Sequence, residues 1–275
     1  MRTIVHLSDL HFGRVDQALL APLTELICRV APDLLVVSGD LTQRARSREF
    51  IAARAFLDTL QAPRIVVPGN HDISLHNLFD RFLRPLQKYC RYITDDLQPF
   101  FLDDEIAVAG VNTARSLTIK DGRINHEQVA QVRARFARVP DSLVKIVVTH
   151  HPFDLPDQFR RADLVGRADT ALQSFANCGA DLLLAGHLHA SHAGTTDAHY
   201  PLDGYAALVV QAGTATSTRG RGEANSFNVI RVAQHRIITE RHAWDASRNM
   251  FEMAGSDRFV RDGERWSRSV ESNGR

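Results

Sequence analysis

Apolar and polar positions alternate in two rhythms along the first 185 residues. Short β-branched apolar runs predict buried strands at residues 4–7, 34–37, 65–67, 146–148 and 182–184. Between these runs, apolar residues recur at helical spacing and predict helices over 17–30, 47–60, 125–137 and 170–177. This alternation is typical of βαβ units, in which parallel strands bring the loops that follow them to one edge of a sheet.

After Gly186 the pattern changes to strand signals without helices between them. These runs cover 206–211, 226–232 and 236–243, and they predict antiparallel strands in a second sheet packed on the first. The predicted fold class is therefore α/β: a two-sheet β-sandwich flanked by helices, with βαβ units in the first two-thirds. We expect residues 1–255 to form a single domain. The polar, arginine-rich stretch 256–275 is expected to be a C-terminal tail that is at most partly ordered.

Composition argues against several classes of protein. Lys plus Arg (33) nearly balances Asp plus Glu (32). The chain therefore lacks the overall positive charge that would predict a nucleic-acid partner. The three cysteines, Cys28, Cys90 and Cys178, are far apart, which argues against a disulfide framework and a cysteine zinc site. The chain begins directly with a strand-like run, and its apolar stretches fall well short of about 18 residues. We therefore expect a cytoplasmic protein with no membrane span.

Histidines, carboxylates and one asparagine follow directly after the apolar runs. They form five blocks: Asp9-Leu10-His11, Gly39-Asp40, Gly69-Asn70-His71-Asp72, Thr149-His150-His151-Pro152 and Gly186-His187-Leu188-His189. Because parallel strands end at one edge of a sheet, the blocks are expected to meet there. Residues two apart in extended backbone project to the same side, about 6 to 7 Å apart, so each D-x-H or H-x-H pair can face one cluster. The glycines would let the backbone turn sharply beside it.

This donor set indicates a metal centre. Imidazole, carboxylate and amide donors without thiolate suit Mn, Fe, Co, Ni or Zn better than Ca. The number of donors also exceeds what one tetrahedral ion needs. Two divalent metal ions about 3.5 to 4 Å apart, with Mn, Fe, Zn or Co as candidates, would share a carboxylate and use the whole set.

In order and spacing, the five blocks resemble the D-x-H, GD, GNH[DE], H and GHxH pattern of the calcineurin-like metallophosphoesterases, over roughly residues 3–232. The resemblance implies two groups of metal ligands that share Asp40: Asp9, His11, Asp40 and His189 for one ion, and Asp40, Asn70, His150 and His187 for the other. It also implies that His71 lies beside the bound phosphate as a catalytic residue, with Asp72 as a candidate orienting partner. The proline in the fourth block selects His150 over His151, which is expected in a second layer or in the core.

The implied reaction is hydrolysis of a phosphodiester P–O bond by a hydroxide that bridges the two metals. The segments 8–13, 39–42 and 213–215 are similar to bacterial class III cyclic nucleotide phosphodiesterases, which implies cyclic nucleotides or similar small phosphodiesters as substrates. Three alternatives stay open: a UDP-diacylglucosamine pyrophosphate hydrolase of lipid A synthesis, a broad-specificity phosphatase, and a non-catalytic scaffold. The best-known hydrolase of the first kind has arginine at the position of His71, and the complete ligand set disfavours a scaffold.

Other candidate features lie outside the five blocks. Arg44, Arg219 and Arg221 are candidates for binding an anionic group of a small phosphoester substrate. Residues 78–93 carry apolar side chains at mixed helical spacing. This segment is either a core helix or an apolar lid or dimer face near the site, so a homodimer is one expectation.

Overall fold

The computed structural model describes residues 1–74, 78–116, 121–155, 163–219 and 222–269, and for residues 78–80 only the backbone. In these ranges the helices are α1 Gln17–Val30, α2 Ser47–Thr59, α3 Leu78–Leu83, α4 Gln87–Tyr92, α5 His126–Phe136 and α6 Ala168–Ala176. The strands are β1 Arg2–Leu7, β2 Leu34–Ser38, β3 Arg64–Val67, β4 Phe100–Leu102, β5 Ile106–Gly110, β6 Val144–Val148, β7 Leu182–Ala185, β8 His192–Thr195, β9 Leu208–Gln211, β10 Ser226–Ala233, β11 Arg236–Asp245, β12 Met250–Asp262 and β13 Arg265–Arg268.

The strands form two mixed sheets. One has the order β13-β12-β11-β10-β1-β2-β3 and the other the order β4-β5-β6-β7-β9-β8. Strands β1, β2 and β3 are parallel, as are β5, β6, β7 and β9. The βαβ units are thus divided between the sheets, and the carboxyl ends of both parallel sets are available for a site. The predicted α/β two-sheet fold is confirmed.

Two details of the predicted topology are corrected. The run at 206–211 contains β9, which pairs antiparallel with β8 as expected but also pairs parallel with β7. The later antiparallel strands do not make a sheet of their own, because β10 pairs with β1 and extends the first sheet. Local periodicity identifies a strand but carries no information about its distant partner.

The layers follow from alternation along the strands. In β1, Ile4 faces the apolar core between the sheets, whereas Val5 and Leu7 belong to the core under the helices. Helices α1, α2 and α4 supply apolar residues to the core on that outer face of the first sheet. Helices α5 and α6 do the same on the second sheet. The result is two sheets packed face to face, with helices on both outer faces.

The segment 78–93 forms two short helices with different environments. In α4, Tyr89 is fully buried and its hydroxyl donates to the carbonyl of Val66 at 3.0 Å, as expected of a core helix. In α3, Phe82 and Leu83 are 52% and 65% exposed. The core reading therefore applies to α4, while the lid or dimer-face reading of α3 stays a prediction.

The C-terminal segment is not a tail over residues 256–268. The expected boundary at Ser256 falls inside β12, and β13 then pairs with it. Phe259 and Trp266 are almost completely buried, and the indole Nε1 of Trp266 donates to Asp181 Oδ1 at 2.9 Å. Residues 256–268 are mostly polar around Phe259 and Trp266, so the sequence pattern does not predict that these two side chains are buried. Residues 270–275 lie outside the described ranges.

No helix in the described part of the chain has the length and apolar character needed to cross a bilayer. Cys28, Cys90 and Cys178 are all free thiols, and none of them forms a disulfide bond.

If the C-terminal hairpin is part of the sheet, Trp266 contributes to global stability. Trp266→Ala is expected to lower the free energy of unfolding by about 3–5 kcal/mol, because it leaves a large cavity and removes a donor to Asp181. Trp266→Phe keeps most of the packing and should lose less. The measurement is urea denaturation, with Met253→Ala at a 60% exposed position as the control. Equal stability of Trp266→Ala and Met253→Ala would contradict the docked hairpin.

Candidate metal centre

The five blocks lie just beyond the carboxyl ends of β1, β2, β3, β6 and β7. The first three strands belong to one sheet and the last two to the other. Because the sheets pack face to face with these ends together, loop residues within five positions of each strand end bring both sets of side chains into one cluster. The predicted ligands accordingly meet at the junction of the sheets.

One group of donors comprises Asp9, His11 and His189. The Nε2 atom of His189 lies 3.1 Å from both His11 Nε2 and Asp9 Oδ1, and His11 Nε2 lies 3.6 Å from Asp9 Oδ1. All three side chains are buried, with at most 4% exposed. Three donor atoms thus converge on one point.

A second group comprises Asn70, His150 and His187. The Nε2 atom of His150 lies 3.1 Å from Asn70 Oδ1 and 3.3 Å from His187 Nδ1. Asp40 lies between the two groups, with Oδ2 3.7 Å from His11 Nε2 and Oδ1 3.4 Å from His150 Nε2. The two oxygens of one carboxylate therefore face different groups.

The donors fit divalent cations. Asp9 Oδ1 is buried and accepts no hydrogen bond from the described residues, although a buried carboxylate oxygen ordinarily needs a partner. Two pairs of imidazole nitrogens approach to 3.1 and 3.3 Å, a separation at which both nitrogens of a pair can coordinate the same ion. Nitrogen and oxygen donors without sulfur suit Mn, Fe, Co or Zn.

Main-chain carbonyls orient two of the imidazoles. His150 Nδ1 donates to the carbonyl of Ser38 at 2.7 Å, and His189 Nδ1 donates to the carbonyl of Arg219 at 3.2 Å. Since a carbonyl only accepts, each ring carries its proton on Nδ1 and presents Nε2 to the cluster. In the same way, Ser8 Oγ and the main-chain N–H of His187 donate to Asp9 Oδ2, which leaves Oδ1 for a metal.

The carboxylates give the cluster its electrostatic character. Burial acts to raise the pKa of Asp9, but the attraction of His189 and the closeness of His11 hold that pKa well below its usual range. Burial likewise opposes ionisation of Asp40, and His150 lowers its pKa. In turn, burial acts against the charged form of His150, yet Asp40 raises its pKa to about 9. The buried, ionised carboxylates of the cluster are thus stabilised by positive charge, which a proton or a divalent cation supplies.

The backbone at the ligands is not extended. Positive φ angles occur at five ligand positions: Asp9 (53°), His11 (49°), Asp40 (52°), His187 (72°) and His189 (56°). The expectation that i and i+2 residues of each pair project together from extended chain is therefore wrong, although the side chains do converge. Left-handed conformations are costly for residues other than glycine and are concentrated at functional sites.

The three glycines of the blocks act in different ways. Gly39 has φ +93°, in the left-handed region, as a sharp turn requires. Gly69 has φ −102°, so its role is space: a Cβ there would lie 2.1 Å from Asp40 Oδ1. At Gly186 a Cβ would lie 1.8 Å from Ser8 Oγ and 2.6 Å from Asp9 Oδ2. The predicted sharp turn is thus found only at Gly39.

His71 lies at the margin of the cluster. Its ring is 4.9 Å from that of His11, edge to face. Its Nδ1 donates to the carbonyl of Gln43 at 2.9 Å, and its Nε2 accepts from Arg219 Nη1 at 3.1 Å. Burial lowers the pKa of His71, while Asp40 acts in the opposite direction. The neutral ring therefore has a defined orientation that depends on the main-chain carbonyl of Gln43. Nothing in the sequence pattern indicates this role for Gln43.

Asp72 does not orient the ring of His71. Its carboxylate accepts from the main-chain N–H groups of Leu41, Thr42 and Gly69 and from the hydroxyl of Thr42, at 2.9 to 3.2 Å. Burial, followed by the charge of Asp40, raises the pKa of Asp72 to about 6. Asp72 instead fastens the loop after β3 to the loop after β2, which corrects the role expected from its neighbour in sequence.

His151 lies nearer the cluster than a residue on the opposite side of a strand would. It is buried, its Nδ1 is 2.8 Å from Thr113 Oγ1, and its ring is 4.6 Å from that of His187. It could join His150 and His187 around an ion. The chain leaves extended geometry after β6, so alternation does not separate His150 from His151.

The three candidate substrate arginines have different outcomes. Arg219 reaches the cluster through His71. Arg44 is exposed, and its main-chain N–H donates to Glu49 Oε2 at 2.8 Å. Arg221 lies outside the described residues.

Comparison with known proteins gives a family match and several relatives. The calcineurin-like phosphoesterase family model matches residues 2–191. Over 172 residues the chain is 28% identical to glycerophosphodiester phosphodiesterase GpdQ of Enterobacter lignolyticus, covering 55% of this chain and 58% of that protein. Over 164 residues it is 25% identical to 3′,5′-cyclic adenosine monophosphate phosphodiesterase CpdA of Escherichia coli, covering 57% and 54%. The chain thus spans little more than half the length of these curated relatives.

Solved structures share the fold at low sequence identity. A dimetal phosphatase from Danio rerio superposes with a TM-score of 0.65 at 13% identity, covering 88% of this chain and 96% of that one. The purple acid phosphatase PPD1 from yellow lupin superposes with a TM-score of 0.71 at 12% identity, covering 95% and 54%.

The close approach at Gly69 gives a test of the cluster. Gly69→Ala should displace Asp40, because the new Cβ would overlap its Oδ1 and its main-chain nitrogen at 2.3 Å. We expect a folded protein with at least one metal lost per chain, measured by mass spectrometry of bound metals alongside circular dichroism. Gly255→Ala, with no atom within 4 Å of the added Cβ, is the matched control. Full metal content in Gly69→Ala would show that Asp40 is not a ligand.

Proposed function

Because the chain belongs to the calcineurin-like phosphoesterase family, we propose that it is a metal-dependent phosphodiesterase that hydrolyses small phosphodiesters such as cyclic nucleotides. The observation that carries this proposal is the position of Asp40, whose two oxygens face two separate groups of metal-binding donors. The named activities of two relatives, on a glycerophosphodiester and on 3′,5′-cyclic AMP, support the diester class.

In this proposal one cation is held by Asp9, His11, Asp40 and His189, and the second by Asp40, Asn70, His150 and His187. Divalent cations bound there would activate a water molecule and neutralise charge on the phosphoryl oxygens. The carbonyls of Ser38 and Arg219 keep the lone pairs of two imidazoles directed at the ions.

His71 is the proposed catalytic residue outside the coordination shell. Its Nδ1–H is held by the carbonyl of Gln43, so Nε2 is the atom that faces a phosphoryl or leaving-group oxygen, and it donates to that oxygen when the ring carries a second proton. Asp72 is a positioning residue, because it ties the loop that carries His71 to the loop that carries Asp40. The side chains of the protein thus bind the substrate, orient His71 and supply a proton. None of them needs to form a covalent bond to phosphorus.

The proposal is tested by assay of the metal-reconstituted protein. Protein loaded with Mn, Fe, Co or Zn is incubated with 3′,5′-cAMP, 2′,3′-cAMP, a glycerophosphodiester, bis(p-nitrophenyl) phosphate, p-nitrophenyl phosphate and a UDP-diacylglucosamine. We expect metal-dependent hydrolysis of diesters, and a large loss of it in Asn70→Ala, which removes one ligand. Activity on the monoester alone would overturn the diesterase assignment. Inactivity on all six compounds would overturn the proposal that the protein is an enzyme.

His71→Ala separates catalysis from metal binding. We expect turnover to fall by about 10²- to 10⁴-fold, the usual contribution of a general acid, because the leaving-group oxygen loses the protonated imidazole that donates to it from Nε2. Metal content should remain unchanged, and His126→Ala at an exposed helix start is the control. Loss of bound metal in His71→Ala would identify His71 as a ligand.

A further inference from the structure

We propose that Arg219 is the anion-binding residue of this site: its guanidinium binds a phosphoryl oxygen of the substrate beside His71. The inference rests on the proposed function, since it assigns a specificity residue to the same site. The starting observation is that Arg219 Nη1 lies 3.1 Å from His71 Nε2, the one ring nitrogen of His71 that no main-chain carbonyl occupies.

The guanidinium has no carboxylate partner among the described residues. Other arginines of the chain do pair with carboxylates: Arg2 with Asp103 at 2.8 Å, and Arg261 with Asp181 at 3.0 Å. Arg219 is only partly exposed, and within the described ranges the one hydrogen bond of its side chain is to a neutral imidazole. A guanidinium has five N–H donors and prefers an anionic acceptor such as a carboxylate or a phosphate, so most of its binding capacity is unused by the described residues.

The loop that carries Arg219 is built onto the first metal-binding block. The hydroxyl of Thr214 donates to the carbonyl of Asp9 at 2.7 Å, and that of Thr216 to the carbonyl of Leu10 at 2.8 Å. The main-chain N–H of Arg219 then donates to Ser217 Oγ at 3.1 Å. The main chain at Arg219 is therefore fixed relative to the cluster by short contacts, and the guanidinium extends from that fixed point to His71.

Electrostatics favours an anion between Arg219 and the cluster. Divalent cations held by Asp9, His11 and His189 would repel a nearby guanidinium, and an intervening phosphoryl oxygen would turn this repulsion into attraction on both sides. The contact with His71 Nε2 is then the resting contact. A phosphoryl oxygen would take the guanidinium donors and leave His71 Nε2 to face the substrate.

Substitution of Arg219 can be separated from damage to the metal centre. The hydrogen bond that orients His189 uses the main-chain carbonyl of Arg219, which every variant retains. Arg219→Gln removes the charge and the fork of donors. Arg219→Lys keeps the charge but not the fork. Arg236→Gln, at an exposed arginine of β11, is the matched control.

Binding of inorganic phosphate to metal-loaded protein is the primary measurement, by isothermal titration calorimetry at fixed pH and salt. We expect Arg219→Gln to weaken phosphate binding about 10- to 100-fold, the range for a lost hydrogen bond between charged groups, with Arg219→Lys intermediate and Arg236→Gln unchanged. Metal content should equal that of the wild type. With bis(p-nitrophenyl) phosphate, KM should rise by a similar factor with little change in kcat.

Two results would overturn the inference: wild-type phosphate affinity in Arg219→Gln, or loss of metal from that variant, which would make the side chain a structural support. Failure of the proposed function is recognised separately. A wild-type protein that hydrolyses none of the diesters but binds phosphate through Arg219 would refute the activity and leave the anion site intact.

Discussion

The buried carboxylate of Asp40 is the interaction on which the architecture of the site depends. It follows β2, and it faces His11 from the same sheet and His150 from the other, at 3.7 and 3.4 Å. It also accepts the main-chain N–H of His71 at 2.8 Å. Burial of an ionised carboxylate costs free energy unless cations or hydrogen-bond donors surround it. Loops from both sheets supply those donors around Asp40. The two sheets are thus joined at one edge by charge as well as by the apolar core between them.

That arrangement requires backbone geometry that a relaxed loop would avoid. Five of the seven proposed ligands have positive φ without being glycine. Such conformations persist only where the surrounding structure determines them. Here the determinants are specific: Gly39 and Gly69 leave room for His150 and Asp40, and Asp72 fastens two of the loops with four hydrogen bonds. The strands behind the loops are buried over the three or more residues next to those loops, which gives the strained segments a rigid base.

The sequence predicted the ligand-bearing residues better than the geometry that unites them. Asp9, Asp40 and His150 each stand two residues beyond a buried strand, and the parallel arrangement of strands is enough to place them together. Their local conformation could not be predicted, because alternation presumes an extended chain. The carbonyls of Ser38, Gln43 and Arg219 orient imidazoles, yet every residue has a carbonyl, so no residue type marks this role. Distant pairing was equally hidden: nothing local in β10 indicates that it lies against β1.

In the proposed assignment, the metal ligands and the anion-binding residue come from different parts of the chain. The family match ends at residue 191, after the last proposed metal ligand, His189. The loop with Arg219 comes later, between β9 and β10, and Thr214 and Thr216 attach it to the block that begins at Asp9. A metal centre that treats every phosphoryl group alike gains selectivity only from groups placed around it. If Arg219 binds the phosphoryl group as proposed, changes in this segment, which lies outside the matched region, would alter substrate preference while the metal ligands stay the same.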